Sequence, residues 1–381
     1  MSEFFGKRSF RWKFMIGFSD SLIVQEDYDI TDELTMGIGG KVKAFIRIES
    51  LEELECAYQN VLSLNSKFLV VGGGSNVIFS SQGFDGAVFS INIKGIDEVS
   101  RSETHVLLDV GAGEDWEDFV DFSLENHYWG VENLTLIPGT VGACPVQNVG
   151  AFGQEVKNII EHVECFDTVS QKIVVINNQD CLFSFRKSIF NSTEKDRYII
   201  TSVRFRLSLV PSPRLHRQEF SKLRNYSGDS QQLQNEIRKL VIDYRTSGIN
   251  LPNDKAHGCS GTFFRTAVVS SYTDFIKIAC CTLRNLGLKA AIMMILFCIK
   301  YRSQEGFRIP SKRLIQFCNI CDLRVGSVFL LPSNPAVVVS DLNNSPCSED
   351  LVELVALVRD KVYNRTGVFL PIEPELIGFD I

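Results

Sequence analysis

The chain has 381 residues, 45% of them hydrophobic and 22% charged, which is typical of a soluble globular protein long enough for two or three domains. Its formal net charge of −7 gives no indication of nucleic-acid binding. The eleven cysteines are an odd number, scattered through a chain without a secretion signal, which indicates reduced thiols and a cytoplasmic protein.

The first predicted element of the fold lies beyond residue 29. Residues 1–18 are basic and aromatic but lack the apolar run and cleavage site of a signal peptide, so residues 1–29 are interpreted as an N-terminal extension. Residues 36–48 alternate as strands do, and Ser50 with Glu53 has the form of a capping box that begins a helix to about residue 63. A strand at 68–71 completes a predicted β-α-β unit.

That unit ends in a glycine-rich loop, Gly72-Gly73-Gly74-Ser75-Asn76. Glycine lets backbone N–H groups come close to an anionic ligand, so the pattern favours a phosphate-binding loop between two strands. The loop is not a dinucleotide fingerprint, because the third glycine and the following helix pattern are missing.

A second glycine loop spans residues 137–153 and follows strands predicted at 87–93 and 105–110 and a helix predicted at 114–126. It contains four glycines, two prolines and no charged residue. Composition alone leaves a structural cluster of turns as an equal alternative to a ligand-binding loop.

The remaining elements are predicted from periodicity and turn residues. Strands are predicted at 159–167, 172–176, 198–207 and 336–340, helices at 233–246, 311–321 and 348–364, and a linker at 247–254. Cys318 and Cys321 have CxxC spacing without a second pair nearby, which favours packed core thiols over a metal or redox site.

The two glycine loops together resemble one family. GGGSN at 72–76 and ENLTLIPGTVGACPVQNVGAFG at 132–153 closely resemble the motifs of the UDP-N-acetylenolpyruvoylglucosamine reductases, and the resemblance runs from about residue 32 to near the C-terminus. It implies an α+β fold, with a two-part FAD-binding domain of the PCMH or vanillyl-alcohol-oxidase type followed by a C-terminal α/β substrate domain. The implied boundaries are 30–95 and 96–246 for the two FAD-binding subdomains and 247–381 for the substrate domain.

The same resemblance implies the cofactor contacts. FAD would lie against the backbone of the first loop at its pyrophosphate and along the second loop at its ribityl chain and isoalloxazine, with an arginine at the cofactor edge. The implied residues are Gly72, Gly73, Gly74, Ser75, Asn76, Pro138, Gly139, Thr140, Gly142, Gln147, Asn148, Gly150 and Arg245.

Three residues are candidates for catalysis by the resemblance. Arg186, in FSFRKSIF, would hold a carboxylate bidentately, although without the motif a surface arginine near a strand end is the better interpretation. Glu375, in IEPEL, would line the site beside the substrate, with Glu373 as the alternative in the neighbouring register. Thr262, in GCSGTFFR, stands where the family has a proton-donating serine.

The implied reaction is NADPH-dependent reduction of UDP-N-acetylglucosamine enolpyruvate to UDP-N-acetylmuramate, by a monomer that neither binds nucleic acid nor inserts stably into a membrane. Four positions depart from the family pattern: Asn250, Thr262, Thr266 and Ala267 replace lysine, serine, asparagine and proline. These departures keep open a flavin-binding paralogue that has lost or changed the reductase activity. An FAD oxidase of the wider fold is disfavoured, because those chains lack this pair of loops.

Residues 272–307 are longer than the family has at this place. They include a ten-residue apolar run at 290–299, which is too short for a hydrocarbon layer that requires ~20 residues. The run favours a buried helix over a membrane-surface or partner-binding helix.

Overall fold

A computed structural model describes residues 22–303 and 306–379, which form two compact units. Of the described residues, 22–29, 41–73 and 84–241 form the first unit, and 30–40, 74–83 and 242–379 form the second. These boundaries differ from the three predicted subdomains, a division that stays a prediction. Residues 1–21, most of the predicted N-terminal extension, lie outside the described residues.

The described residues form many short strands and a smaller number of helices. The strands are β1 Ile23–Asp29, β2 Lys41–Ile48, β3 Lys67–Val71, β4 Val77–Phe79, β5 Phe84–Ile91, β6 Ile96–Arg101, β7 His105–Gly111, β8 Gly150–Ala151, β9 Gln154–Glu155, β10 Ile160–Asp167, β11 Lys172–Asn177, β12 Tyr198–Ser208, β13 His257–Cys259, β14 Ala267–Val269, β15 Arg302–Ser303, β16 Gly306–Ile309, β17 Arg324–Val325, β18 Val328–Leu330, β19 Val338–Asp341 and β20 Glu375–Ile377. The helices are α1 Leu51–Ser63, α2 Trp116–Glu125, α3 Ser230–Thr246, α4 Tyr272–Leu286, α5 Leu288–Lys300, α6 Ser311–Phe317 and α7 Ser348–Thr366.

A four-stranded sheet in the first unit has the order β1-β2-β5-β3. The Ser50 hydroxyl accepts the Glu53 N–H at 3.1 Å, which confirms the predicted cap of α1. β2 and β3 are parallel to each other, but β5 lies between them and pairs with both. β1 pairs antiparallel with β2, so the end of the predicted extension forms an edge strand.

A second sheet in the first unit, β11-β10-β12-β7-β6, is antiparallel throughout. α2 buries Trp116 and Phe119 against it, with the Phe119 and Phe205 ring centroids 4.6 Å apart. This aromatic contact fixes α2 against β12, and the second glycine loop begins twelve residues after the end of α2.

The second unit has three sheets, β13-β19-β18-β17, β14-β16-β15 and β20-β4, around a core that includes Phe263, Phe264 and the inner face of α7. α4 and α5 are joined by Gly287 alone, which has a φ of +86°. The prediction of a buried helix at 290–299 is wrong in part. α5 buries only Ala291, Met294 and Cys298, because the core receives just one of its faces.

One further prediction concerns the CxxC pair, Cys318 and Cys321. Cys318 is buried, and burial raises the pKa of its thiol to about 11, so the thiolate is disfavoured near neutral pH.

Among the described residues, no helix combines the length and apolar character needed to cross a membrane.

Candidate flavin site

The two glycine loops contact each other within the first unit. A Cβ on Gly73 would lie 2.8 Å from the Cα of Gly139, and a Cβ on Gly72 would lie 2.9 Å from Thr140 Oγ1. Real Cβ atoms do not approach other atoms so closely, so glycine is required at both positions for the two backbones to pack together. Gly72 and Gly73 of the first loop and Gly139 and Thr140 of the second loop are therefore neighbours in this unit.

Backbone hydrogen bonds anchor the second loop to the end of β7 and the start of α2. Val141 donates its N–H to the Glu114 carbonyl at 2.9 Å, and Trp116 donates to the Gly139 carbonyl at 3.0 Å. Gly142 donates its N–H to the Ala112 carbonyl at 2.8 Å. A Cβ added to Gly142 would lie 2.6 Å from the Ala112 Cβ. Gly142 thus has a packing role in addition to any contact with a ligand.

The donors in these loops fit an anionic group. None of the backbone hydrogen bonds among the described residues uses the N–H of Gly73, Gly139 or Thr140. Gly73 is exposed, and the other two residues are half-buried. Adjacent backbone N–H groups in glycine-rich turns make concave anion sites, so these three suit the FAD pyrophosphate.

The first loop passes from the first unit to the second between Gly73 and Gly74. Gly74 has a φ of +62°, and a Cβ there would collide with the Glu33 carbonyl oxygen. Asn76 accepts the N–H of Glu375 through its backbone carbonyl at 2.9 Å, which continues the parallel pairing of β4 with β20. The second half of the loop is therefore fixed to the candidate catalytic segment at Glu375.

A buried polar network supports the second loop, and sequence reasoning did not find it. Glu132 accepts the Gly130 N–H at 2.7 Å and the Gln154 Nε2 amide at 2.6 Å. Gln154 in turn accepts the Asn133 N–H at 2.9 Å, and Asn133 donates its side-chain amide to the Phe152 carbonyl at 3.0 Å. The network joins the residues before the loop to its far end. The sequence signal for this network was the pair Glu132 and Asn133, an acid and an amide at the start of the segment ENLTLIPG.

The buried Glu132 carboxyl makes the free energy of unfolding depend on pH. Burial raises the pKa of Glu132, opposed by hydrogen bonds from Gly130 and Gln154. An acid with a higher pKa in the folded state binds more protons when folded, so the free energy of unfolding falls as pH rises from the ordinary pKa toward the raised one. We expect the wild type to lose on the order of 1 kcal/mol or more relative to Glu132→Gln across this window.

Denaturant unfolding of both proteins at several pH values measures this effect. Glu125→Gln, which changes an exposed carboxylate at the end of α2, is the matched control and should run parallel to the wild type. A wild type that gains stability relative to Glu132→Gln as pH rises would contradict the assignment.

Arg186 lies in the first unit on a strained backbone with a φ of +55°. Its segment is tied to the second glycine loop through Asn148, whose amide donates to the Ser184 carbonyl at 2.9 Å and to Glu155 Oε2 at 2.8 Å. Burial acts to raise the pKa of Glu155, but bonds from Lys157 and Asn148 and the charges of Lys157 and Arg186 lower it overall. Asn148 therefore joins the loop to the Arg186 turn.

Thr262 and Glu375 lie in the second unit, on segments that pair with each other. The Glu373 N–H donates to the Phe263 carbonyl at 2.9 Å, and Phe264 forms a bridge with Ile372. The Thr262 and Glu375 side chains are exposed, whereas Glu373 is half-buried. The structure thus brings the proposed proton donor and the C-terminal glutamates into one segment pair.

A buried hydroxyl lies beside this pair. Ser260 Oγ is buried and has no hydrogen-bond partner among the described residues. A buried hydroxyl is costly to leave unpaired, so it is available to a ligand of this segment.

The other predicted positions lie on several different elements. Arg245 is in the last turn of α3, and Gly150 pairs with Glu155 in the β8–β9 hairpin. Asn250 accepts Asn334 Nδ2 through its backbone carbonyl at 3.0 Å. Ala267 is buried in β14, where it pairs with Ile309.

Gly73→Ala tests whether contact between the loops is needed for the cofactor. The added methyl would force Gly73 and Gly139 apart, so we expect FAD affinity to fall about a hundredfold or more and the purified protein to be largely colourless. Gly228→Ala is the control for adding a methyl at a glycine, because Gly228 is exposed and the three atoms nearest to its added Cβ belong to the Tyr226 side chain. Full flavin occupancy in Gly73→Ala would show that FAD binding does not require the contact between the loops.

Comparisons with known proteins agree with this geometry. The FAD binding domain family matches residues 42–175, which include both glycine loops. The solved UDP-N-acetylenolpyruvylglucosamine reductase of Thermus caldophilus superposes with a TM-score of 0.62 at 19% identity, covering 93% of this chain and 98% of that one. The predicted α+β fold with a PCMH-type FAD-binding domain is confirmed, and the chain is a flavoprotein of the oxidoreductase class.

Named relatives identify the family within this class of flavoproteins. A UDP-N-acetylenolpyruvoylglucosamine reductase of Neisseria gonorrhoeae is 32% identical over 348 residues, 91% of this chain and 95% of its own. A protein of the same name from Shewanella is 31% identical over 352 residues, 92% of this chain and 96% of its own. The chain belongs to the UDP-N-acetylenolpyruvoylglucosamine reductase family, as its loops predicted.

Proposed function

We propose that the protein reduces UDP-N-acetylglucosamine enolpyruvate to UDP-N-acetylmuramate with electrons from NADPH, as a cytoplasmic monomer in peptidoglycan precursor synthesis. The observation that carries the proposal is the identity of 32% to a reductase of this name over 91% of the chain, with both glycine loops inside the matched FAD-binding domain. Bound FAD would supply the hydride for the enolpyruvyl double bond.

The two loops hold the cofactor in this proposal. The N–H groups of Gly73, Gly139 and Thr140 would bind the pyrophosphate, since none of the backbone hydrogen bonds among the described residues uses them, and this extends the pyrophosphate contact predicted for the first loop to the start of the second. The hydrogen bonds from Gly142 and Val141 keep the second loop fixed when the ligand is absent, so little ordering is needed on binding.

The substrate residues stabilise charge and deliver a proton. Hydride addition to the methylene carbon leaves a carbanion next to the carboxylate, and its charge spreads onto the carboxylate oxygens. The Arg186 guanidinium holds these oxygens, and Glu375 positions the substrate. The Thr262 hydroxyl then donates a proton to the carbanion, which completes the reduction.

Anaerobic stopped-flow absorbance on the purified flavoprotein tests the proposal. Bleaching of the flavin by NADPH followed by recovery on addition of UDP-N-acetylglucosamine enolpyruvate is the expected result. Bleaching without recovery would instead support a paralogue with a changed acceptor, for which the residues at 250, 262, 266 and 267 are the motive. A protein that NADPH does not bleach would overturn the nicotinamide half of the proposal.

A further inference from the structure

The α4–α5 hairpin exposes an apolar stripe along each of its two helices. In α5 the stripe consists of Leu288, Ile292, Leu296 and Ile299, with Leu288 65% and Ile299 63% exposed. In α4 it consists of Tyr272, Ile276 and Leu283, with Tyr272 and Ile276 both 59% exposed. These residues recur at the spacing of one helix face, so each stripe is continuous.

Most of each stripe faces away from the core of the second unit, and Tyr272, at the start of α4, also contacts the buried Phe307 with ring centroids 5.1 Å apart. Ile278 of α4 and Met294 and Cys298 of α5 belong to one buried cluster, which lies on the opposite face of each helix. Because both helices bury their inner faces in this cluster, their apolar stripes lie on the outside of the hairpin. We call this outer surface the α4–α5 face.

Basic side chains border the α4–α5 face. Residues 272–302 contain five basic residues and one acidic residue, in a chain whose net charge is −7. The basic residues are Lys277, Arg284, Lys289, Lys300 and Arg302, all of them exposed. The single acid, Asp274, pairs with Lys277 at 3.1 Å, and Arg302 stacks over Tyr272 at 5.7 Å from the ring centroid.

The helical positions of the charges are the same in both helices. On a helical projection at 100° per residue, Lys289 and Lys300 of α5 lie beside its stripe, and Lys277 and Arg284 of α4 lie beside the corresponding one. An apolar stripe with basic residues along one edge is the pattern of a helix that lies in a membrane interface with its cations near lipid phosphates.

We propose that the α4–α5 face docks the protein onto an anionic lipid surface, with the apolar stripes among the acyl chains and the basic residues at the headgroup phosphates. The inference goes beyond the proposed reductase activity and does not depend on it. The 13 residues of α5 extend about 20 Å, short of the ~30 Å hydrocarbon layer, so the hairpin lies on the membrane without crossing it.

The positive charge of the α4–α5 face favours an anionic membrane over a second copy of the chain as its binding partner. An isologous dimer through the α4–α5 face would bring the same five basic residues of two copies together, and like charges across an interface cost affinity. An anionic membrane instead attracts each of them. The rest of the chain carries a net negative charge, so as a whole it adds no net attraction to the same membrane.

Flotation of the full-length flavoprotein with vesicles tests the proposal. One set of vesicles contains phosphatidylcholine alone, and the other contains phosphatidylcholine and phosphatidylglycerol in equal parts. We expect binding to the anionic set only, weakening as salt is raised, because the basic residues are screened. The double variant Lys289→Gln/Lys300→Gln should lower the partition coefficient roughly twenty-five-fold, at about fivefold per cation.

Matched variants separate the two contributions of the face. Ile292→Ser/Leu296→Ser removes exposed apolar groups and should lower partitioning about tenfold or more, with an unchanged melting temperature because neither side chain is in the core. Val169→Ser/Lys172→Gln changes an exposed apolar residue and an exposed lysine of the first unit, and it should bind as the wild type does.

Three outcomes would overturn the proposal. The first is equal binding to both vesicle sets, and the second is no binding to either. The third is self-association in analytical ultracentrifugation that the α4–α5 variants abolish while vesicle binding is absent, which would assign the face to a second copy of the chain.

Discussion

We expect Arg186→Ala to lower kcat for the enolpyruvyl sugar nucleotide about a thousandfold and to leave FAD bound. In the proposed reaction the guanidinium would act on charge that develops only after hydride addition, so its loss should remove transition-state stabilisation more than ground-state binding. Arg186→Lys keeps the charge but loses the planar fork, and it should recover only a small part of the rate. Steady-state kinetics and the visible absorbance of the flavin measure both effects.

The neighbouring lysine is the control for Arg186. Lys187 is exposed, one residue along the same turn, so Lys187→Ala should keep full activity. Asn191 holds the Arg186 carbonyl through its side-chain amide at 3.2 Å, a bond that Arg186→Ala leaves in place. A variant at Arg186 that keeps more than about a tenth of the wild-type kcat would remove the residue from the catalytic group.

Thr262→Ala lowers kcat about a hundredfold or more, because the hydroxyl that would protonate the carbanion is gone. The rate of flavin bleaching by NADPH should stay unchanged, since the proton is needed only after the substrate receives the hydride. Thr262→Ser keeps the hydroxyl without the methyl that stiffens χ1, so it should be at least as active as the wild type.

A control and a half-reaction make the Thr262 test specific. Thr273→Ala removes an exposed hydroxyl from α4 of the same unit and should leave both half-reactions intact. Equal slowing of bleaching and recovery in Thr262→Ala would indicate a disturbed site and not a missing proton donor.

Local rules predicted the elements that local interactions determine. Ser50 and Glu53 predicted the start of α1. The glycines at 72, 73 and 139 indicated loops with an approachable backbone, although the predicted partner was a ligand and the close contact in the structure is between the loops themselves. These features are set by a few residues near each other in sequence, so the residue types are enough to identify them.

Features that depend on distant partners could not be predicted in the same way. Nothing in β2 or β3 indicates that β5 lies between them, because register depends on the complete sheet. The apolar composition of α5 predicted burial, but composition does not say which face meets the core. Glu132 was overlooked because a buried carboxylate is rare without partners, and its partners Gly130 and Gln154 are identified only in the folded chain.

The pairing of β4 with β20 has a consequence for synthesis on the ribosome. Val77 pairs with Glu375, so β4 leaves the ribosome about three hundred residues before its partner strand has been translated. Until then, the backbone donors and acceptors of residues 77–79 depend on water or on a chaperone. The second unit is therefore completed only after translation of β20, and the long sequence separation of the two strands favours slow folding of this part of the protein.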